Sequence, residues 1–108
     1  MTLTLKTAQQ TVVTNSPVGV FKAYRAGRIG PAAHDFDISF SVLRDNGDCV
    51  VRADCTVHRT YAVYIGDTFM RTIPKEAVLP TAQLYLNAQR LRKTLKSAKI
   101  MVIRPVAA

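Results

Sequence analysis

The chain of 108 residues is poor in the residue types that most often carry catalysis or hold metals. It has two cysteines, two histidines and no tryptophan, and 7% of its residues are aromatic. The cysteines and histidines lack metal-ligand spacing. There is also no nucleophile motif and no glycine-rich loop that leads from a strand into a helix. We therefore expect a protein that is not an enzyme, with no catalytic residues, metal, cofactor or small-molecule substrate.

Acidic residues are scarce too. The chain has seven Asp and Glu and fifteen Lys and Arg, which gives a net charge of +8. This charge favours a polyanionic partner such as nucleic acid or an anionic membrane surface. Basicity also serves solubility alone, and charge by itself leaves that alternative open. No apolar run approaches the ~18 residues that span a bilayer, and the N-terminus alternates in polarity. We expect no membrane partner and no export signal.

The strongest structural signal is Asn46-Gly47, which separates two runs of alternating apolar and polar residues. With these two as the loop, Asp45 lies opposite Asp48, and counting away from the turn sets every other pair. The predicted apolar pairs are Phe36 with Val57, Ile38 with Cys55, Phe40 with Ala53 and Val42 with Val51. The predicted polar pairs are Asp35 with His58, Asp37 with Thr56, Ser39 with Asp54 and Ser41 with Arg52. Leu43 and Val50 break the alternation. The hairpin thus predicts a sheet with one buried and one wet face.

The remaining pattern predicts an α+β fold in one domain, 1–108. Further strands are expected at Thr2–Thr7, Gln10–Thr14, Val18–Arg25 and Thr68–Ile73, and the second hairpin strand is expected to continue through Ile65. Together they predict an antiparallel sheet of five to six strands, followed by a C-terminal helix. The helix is indicated by a stripe at Leu84, Ala88, Leu91, Leu95 and Ala98, with Thr81 as N-cap. Cys49 and Cys55 lie about 20 Å apart on one predicted strand, which is too far for a disulfide.

One helix cannot cover a sheet of this size. Five or six strands are ~20 to 25 Å wide, whereas a helix covers only ~10 Å. A second copy related by twofold symmetry would cover the rest. We therefore predict a homodimer whose interface contains the helix residues Leu84, Ala88, Leu91 and Leu95.

Three segments carry a likeness to a known family. Ile38–Gly47, with alternating small hydroxyl residues and an arginine before the turn, resembles the central strand and turn of the coat proteins of small single-stranded RNA bacteriophages, the levivirus-like group. Pro74–Ser97 is similar to their first helix, and Met101–Pro105 to their ending. The resemblance implies dimers with a continuous sheet, assembled in the bacterial cytoplasm into an icosahedral virion. The sheet would face the RNA genome or an RNA stem-loop.

The resemblance also implies which residues bind RNA: Ser39, Ser41, Arg52, Thr56 and His58. Asp37 and Asp54 depart from the hydroxyl and basic pattern, and the segment from His58 to Pro74 is shorter than its counterpart. The second helix of the family is reduced here to at most a turn near Ile100–Ile103. Tyr61 and Tyr64 could stack on bases or merely pack in the sheet. Two alternatives stay open, a small dimeric regulator that binds RNA or single-stranded DNA, and a structural interaction domain whose basicity is incidental.

Overall fold

A computed structural model describes residues 2–7, 11–16, 20–21, 39–55 and 60–106. These form an α+β fold, as predicted, with a seven-stranded sheet and one long helix. The strands are β1 (Leu3–Lys6), β2 (Thr11–Thr14), β3 (Phe40–Leu43), β4 (Cys49–Ala53), β5 (Thr60–Ile65), β6 (Thr68–Pro74) and β7 (Met101–Pro105). A 3₁₀ turn at Lys75–Ala77 leads into the helix, α1 (Val78–Leu91).

The sheet is mixed, so the prediction of an antiparallel sheet of five to six strands is wrong. Its order is β2-β1-β3-β4-β7-β5-β6, and β7 runs parallel to β4 and antiparallel to β5. The helical turn predicted near Ile100–Ile103 is also wrong, because β7 begins at Met101. Short apolar runs fit a helix or a strand equally well, and here pairing with two distant strands decides.

The central hairpin has the predicted register away from its turn. Phe40 pairs with Ala53, Ser41 with Arg52 and Val42 with Val51. The turn itself differs from the prediction, because Arg44 and Asp48 close it in place of Asp45 and Asp48. The Gly47 N–H donates to the Arg44 carbonyl at 2.9 Å, the Arg44 N–H donates to the Asp48 carbonyl at 2.8 Å, and Gly47 has a φ of +88°. A glycine is favoured there, since residues with a Cβ avoid this region.

A β-bulge explains why the alternation fails beside the turn. Leu43 pairs with Cys49, so Val50 is an extra residue in β4. The bulge turns the Val50 side chain into the core, where it is fully buried. Residues 35–38 and 56–58, which carry the outer predicted pairs, lie outside the described residues.

Other strand predictions had mixed outcomes. The N-terminal hairpin is confirmed, as is the strand after Gly66-Asp67. Continuation of the second hairpin strand through Ile65 is wrong, because β7 lies between β4 and β5. Val20 and Phe21 are helical and buried, which contradicts the strand predicted at Val18–Arg25 at the two described positions.

Helix α1 begins earlier and ends earlier than predicted. Its first residue is Val78, so Thr81 lies inside the helix, buried, and is not the N-cap. At the other end the N–H of Lys93 donates to Arg90 O at 3.0 Å and that of Thr94 to Gln89 O at 2.9 Å. This bonding is a Schellman motif, and Lys93, with a φ of +56°, occupies its left-handed position. The predicted stripe, which continues to Ala98, therefore extends beyond the end of the helix at Leu91.

Helix α1 packs on the sheet with residues spaced four apart, Val78, Ala82 and Leu86, each of them fully buried. This buried line differs from the predicted stripe, because α1 carries apolar side chains on two sides. They belong to one hydrophobic core cluster with Leu5, Val42, Val51 and Ile103, which share one face of the sheet. Alternate strand residues point to opposite faces of a sheet, so α1 packs on the face that carries these residues, and their sequence neighbours point to the face that α1 does not cover.

Arg44 fixes the segment between α1 and β7. Its Nη1 donates to the carbonyls of Leu95 and Lys96 at 3.1 Å and of Ala98 at 3.2 Å, and the Tyr85 hydroxyl donates to the carbonyl of Lys99. A cation is well suited to carbonyls crowded after a helix end. The contacts connect the hairpin turn to the chain that enters β7.

Candidate nucleic-acid interface

The face of the sheet opposite α1, which we call the open face, carries a continuous lateral row of side chains. Each member is the register partner of the next on the neighbouring strand. Directly paired residues point to the same face, so the row crosses six strands. From β1 to β6 the row consists of Lys6, Ser41, Arg52, Val102, Tyr64 and Phe69. Two cations and a hydroxyl therefore lie at one end and two aromatic rings at the other.

A second row runs beside the first. Arg104 pairs with Ala62, and Ala62 with Thr72. On the neighbouring strands the Ser39 hydroxyl donates to Asp54 Oδ1 at 3.4 Å, and the Asp54 N–H donates to the Ile103 carbonyl at 2.8 Å. Ser39 and Asp54, which were predicted to lie opposite each other, are thus in side-chain contact.

The two rows border a groove of about 640 Å³ on the open face. Among the described residues, its polar lining consists of Lys6, Thr7, Ser39, Ser41, Arg52, Asp54 and Arg104. Three cations and one carboxylate give this described part of the lining a net positive charge. Hydroxyl donors and cations on a wet surface are the groups that contact phosphate oxygens in nucleic-acid complexes.

An aromatic cluster lies at the β6 end of the row. The rings of Tyr64 and Phe69 are 5.6 Å apart at 68°, and Arg104 Cζ lies 4.4 Å from the centre of the Tyr64 ring. Phe69 is 53% exposed. A second bulge makes this contact, because Met70 is an extra residue in β6 and Phe69 consequently opposes Tyr64.

The structure brings together three of the five RNA-binding residues that the resemblance implied. Ser39, Ser41 and Arg52 all line the groove. Thr56 and His58 lie outside the described residues, as does Asp37. Tyr61 is fully buried and belongs to the core, whereas Tyr64 lies on the open face.

Sequence reasoning missed Lys6, Phe69 and Arg104. Lys6 could have been found, since β1 alternates and its lysine falls on the polar side of the predicted strand. The positions of Arg104 and Phe69 in the site depend on the insertion of β7 and on the second bulge. Neither feature is indicated by a pattern in the local sequence.

The predicted dimer-interface residues do not share one surface. Leu84 and Leu91 are 65% and 83% exposed and Ala88 is half-buried, whereas Leu95 lies in the core of its own chain at 8% exposure. Leu95 therefore offers little surface to a partner, because α1 ends at Leu91 and the chain turns inward. Leu84 and Ala88 line a second groove, of about 590 Å³, together with Met70 of β6.

The two cysteines form no disulfide. Cys55 is buried, and burial raises the pKa of the half-buried Cys49 thiol, so Cys49 has little of the thiolate that nucleophilic chemistry requires. In the described part of the chain no three His, Cys, Asp or Glu side chains are grouped as metal ligands. No described helix is long and apolar enough to span a membrane.

No family model matches the chain, and comparisons with curated proteins and with solved structures found no match either.

Proposed function

We propose that this protein is the coat protein of a small single-stranded RNA bacteriophage, which dimerises, assembles into a closed shell and holds RNA against the open face of its sheet. The observation that carries the proposal is the lateral row, where Lys6, Ser41 and Arg52 lie side by side on the face opposite α1. The resemblance of the central hairpin and the helix to the coat-protein family points the same way. The proposal includes no catalytic step.

The phosphate contacts are assigned to the cationic end of the row. Lys6 and Arg52 are separated by one strand, which places their Cα atoms ~10 Å apart. Ser41 lies between them and supplies a hydroxyl. Each phosphate that is neutralised releases counterions, so binding should weaken steeply as salt rises. The +8 charge of each chain would partly neutralise a packaged genome.

The dimer contacts are assigned to the exposed apolar side of α1 and to the edge of the sheet. Leu84 and Leu91 are exposed on α1, and Met70 on β6 is 55% exposed. No described strand pairs with the outer side of β6. An unpaired edge can accept a strand from another chain, which supports a sheet that continues into a partner.

The test is the expression of the chain alone in bacteria, followed by size-exclusion chromatography, absorbance at 260 and 280 nm, and electron microscopy. Closed particles that contain nucleic acid are expected. A dimer that never forms larger species across salt and protein concentration would contradict the coat-protein proposal.

Arg52→Glu tests the RNA face directly. Filter binding at two salt concentrations should show weaker affinity for RNA and a flatter salt dependence, since at least one phosphate contact is lost. Circular dichroism should stay the same because Arg52 is exposed. Arg90→Glu is the matched control, with the same charge change at an exposed position on α1, and it should bind RNA far better than Arg52→Glu. Equal affinities in the two variants would remove the open face from the RNA site.

One alternative is a dimeric regulator that binds RNA or single-stranded DNA without forming a shell. The aromatic cluster of Tyr64 and Phe69 favours it, because such proteins stack bases on aromatic side chains. A dimer with RNA affinity and no particles would indicate this function.

A further inference from the structure

We propose that the groove between α1 and the β5–β6 end of the sheet binds a long-chain carboxylate, with the alkyl chain on its apolar floor and the head group at the cations of its rim. This groove, of about 590 Å³, is the second groove described above, and we call it the helix–sheet groove. It lies on the face of the sheet that α1 covers. The inference therefore adds a small-molecule ligand on the face opposite the proposed RNA site and does not depend on RNA binding.

The first argument is the apolar floor of the helix–sheet groove. Val63 and Ile65 of β5 and Met101 of β7 line it from the sheet, and Ile65 and Met101 are register partners. Leu84 of α1 and Met70 of β6 line it as well and are 65% and 55% exposed. A ligand with an alkyl chain would remove this apolar surface from water, which favours its binding.

The second argument is the size of the groove, which follows from the width of the sheet. A helix is ~10 Å across, whereas the edge strands of a seven-stranded sheet are ~29 Å apart. Helix α1 contacts β7, and β5 and β6 lie beyond β7 in the sheet. The space beside α1 has the volume of a ligand pocket, which is usually about 300 to 1,000 Å³ and mostly apolar with a few polar groups.

The third argument is the charge of the rim. Three cations line the helix–sheet groove: Arg71 on β6, Arg92 directly after α1, and Lys99 shortly before β7. Arg71 pairs with Val63, so both side chains point to the covered face. The described part of the lining contains no carboxylate. Because a guanidinium can bind a carboxylate through two parallel hydrogen bonds, the rim is suited to an anionic head group.

Contacts outside the groove hold Lys99 at the rim. Its stem packs on the β5–β6 turn, where a Cβ at Gly66 would lie 3.3 Å from Lys99 Cδ. The Gly66 N–H donates to the carbonyl of Ile100 at 2.8 Å, and the Tyr85 hydroxyl donates to the carbonyl of Lys99. The ligand therefore loses less affinity to the ordering of this side chain than it would with an unsupported lysine.

A second copy of α1 would complement the groove less well than a long-chain carboxylate does. Helix α1 contains no Asp or Glu, and its last turn carries Arg90. Seated in the groove, it would supply apolar side chains but would place cations next to cations. Leu91 does not line the groove, so the dimer contact assigned to Leu91 is compatible with a bound ligand. Leu84 and Met70 belong to both surfaces, and the ligand would lie at the edge of the dimer contact.

The test is isothermal titration calorimetry of the full chain with octanoate, decanoate and dodecanoate. One site per chain is expected, and affinity should rise about fourfold for every two added methylenes, because an open groove buries only part of each. Dodecyltrimethylammonium has the same chain with a cationic head group. It should bind at least tenfold more weakly than dodecanoate, because the rim would repel it.

Two variants separate the head group from the chain. Arg92→Gln should weaken dodecanoate binding about tenfold and keep the dependence on chain length, since it removes a charged hydrogen bond. Leu84→Gln should reduce the dependence on chain length. Arg90→Gln is the matched control, with the same charge change at an exposed position of α1 that does not line the groove. It should bind as wild type, and circular dichroism should show all three variants folded.

Four results would overturn this inference. They are the absence of binding, equal affinities for octanoate and dodecanoate, equal affinities for dodecanoate and dodecyltrimethylammonium, and equal losses in Arg90→Gln and Arg92→Gln. Arg52→Glu distinguishes this site from the RNA face, because it should keep wild-type affinity for dodecanoate even where it weakens RNA binding. A loss of dodecanoate affinity in Arg52→Glu as large as that in Arg92→Gln would place the carboxylate on the open face and would also contradict the proposal.

Discussion

The two faces of the sheet are built from the same strands and differ in almost every other respect. On the face that α1 covers, Leu5, Val42 and Val51 are fully buried. Their sequence neighbours Lys6, Ser41 and Arg52 form the row on the open face. Because strand residues alternate, one segment can supply core packing and a binding surface without conflict. Substitutions on the covered face should change the free energy of unfolding, and those on the open face should change affinity.

Helix α1 shows the same division on a smaller scale. Leu86 is fully buried against the sheet, whereas Leu91, five positions later, is 83% exposed. The exposed side contributes little to folding of the single chain, because a leucine in water has no burial to lose. Its apolar character is explained if another copy of the chain covers it.

The largest effect is expected when the same substitution is made on the two sides of α1. Leu86→Asp should prevent folding, because an unpaired carboxylate in the core costs several kcal/mol, comparable to the stability of a small domain. Leu91→Asp should leave the chain folded and abolish the dimer, since only the dimer would bury that carboxylate. Circular dichroism and analytical ultracentrifugation measure the two outcomes. Intact dimers of Leu91→Asp would show that the exposed side of α1 is not the interface.

A smaller effect is expected from a substitution of Lys93, which lies at the end of α1, where the chain turns inward toward Leu95. Lys93 has a φ of +56°, a region where glycine carries no penalty from a Cβ. Lys93→Gly should raise the free energy of unfolding by about 0.5 to 1 kcal/mol in urea titrations. Lys93→Ala is the control, because it also removes the charge but keeps the Cβ, and it should give no such gain. Equal stability of the two variants would contradict this account of the helix end.

The smallest effect concerns the hairpin tip, where the two faces of the sheet end. The hydroxyl of Thr2 donates to Asp45 Oδ1 at 2.5 Å and its backbone N–H at 2.7 Å, and these bonds lower the pKa of Asp45 below its usual 3.8. A carboxyl group whose pKa is lowered by folding stabilises the fold at pH values above its pKa in the unfolded chain. That stabilisation is lost as the pH falls through its pKa in the folded chain. Urea midpoints measured from pH 5 to pH 2 should therefore fall slightly more for wild type than for Asp45→Asn. If the urea midpoints of the two proteins fell equally with pH, the contact between Asp45 and Thr2 would not contribute to stability.

Much of the candidate site could be predicted from local sequence. Asn46-Gly47 and the alternation around it predicted that Ser41 pairs with Arg52 on a polar face, because side-chain direction in a strand follows a period of two. The same reasoning placed Ser39 beside Asp54. It failed at Asp45 and Val50, where a bulge shifts the register by one residue and only packing decides which side chain enters the core.

By itself the sequence determined the α+β class, the central register and the basic, hydroxyl-bearing character of the open face, since these follow from periods and turn residues that act over a few positions. Tertiary structure alone decided that β7 lies between β4 and β5, that Val78, Ala82 and Leu86 form the buried line of α1, and that Arg104 meets Tyr64. Each of these depends on contacts between residues far apart in the chain. Their free energy is set by the apolar surface that is buried when the whole sheet assembles, which no local pattern encodes.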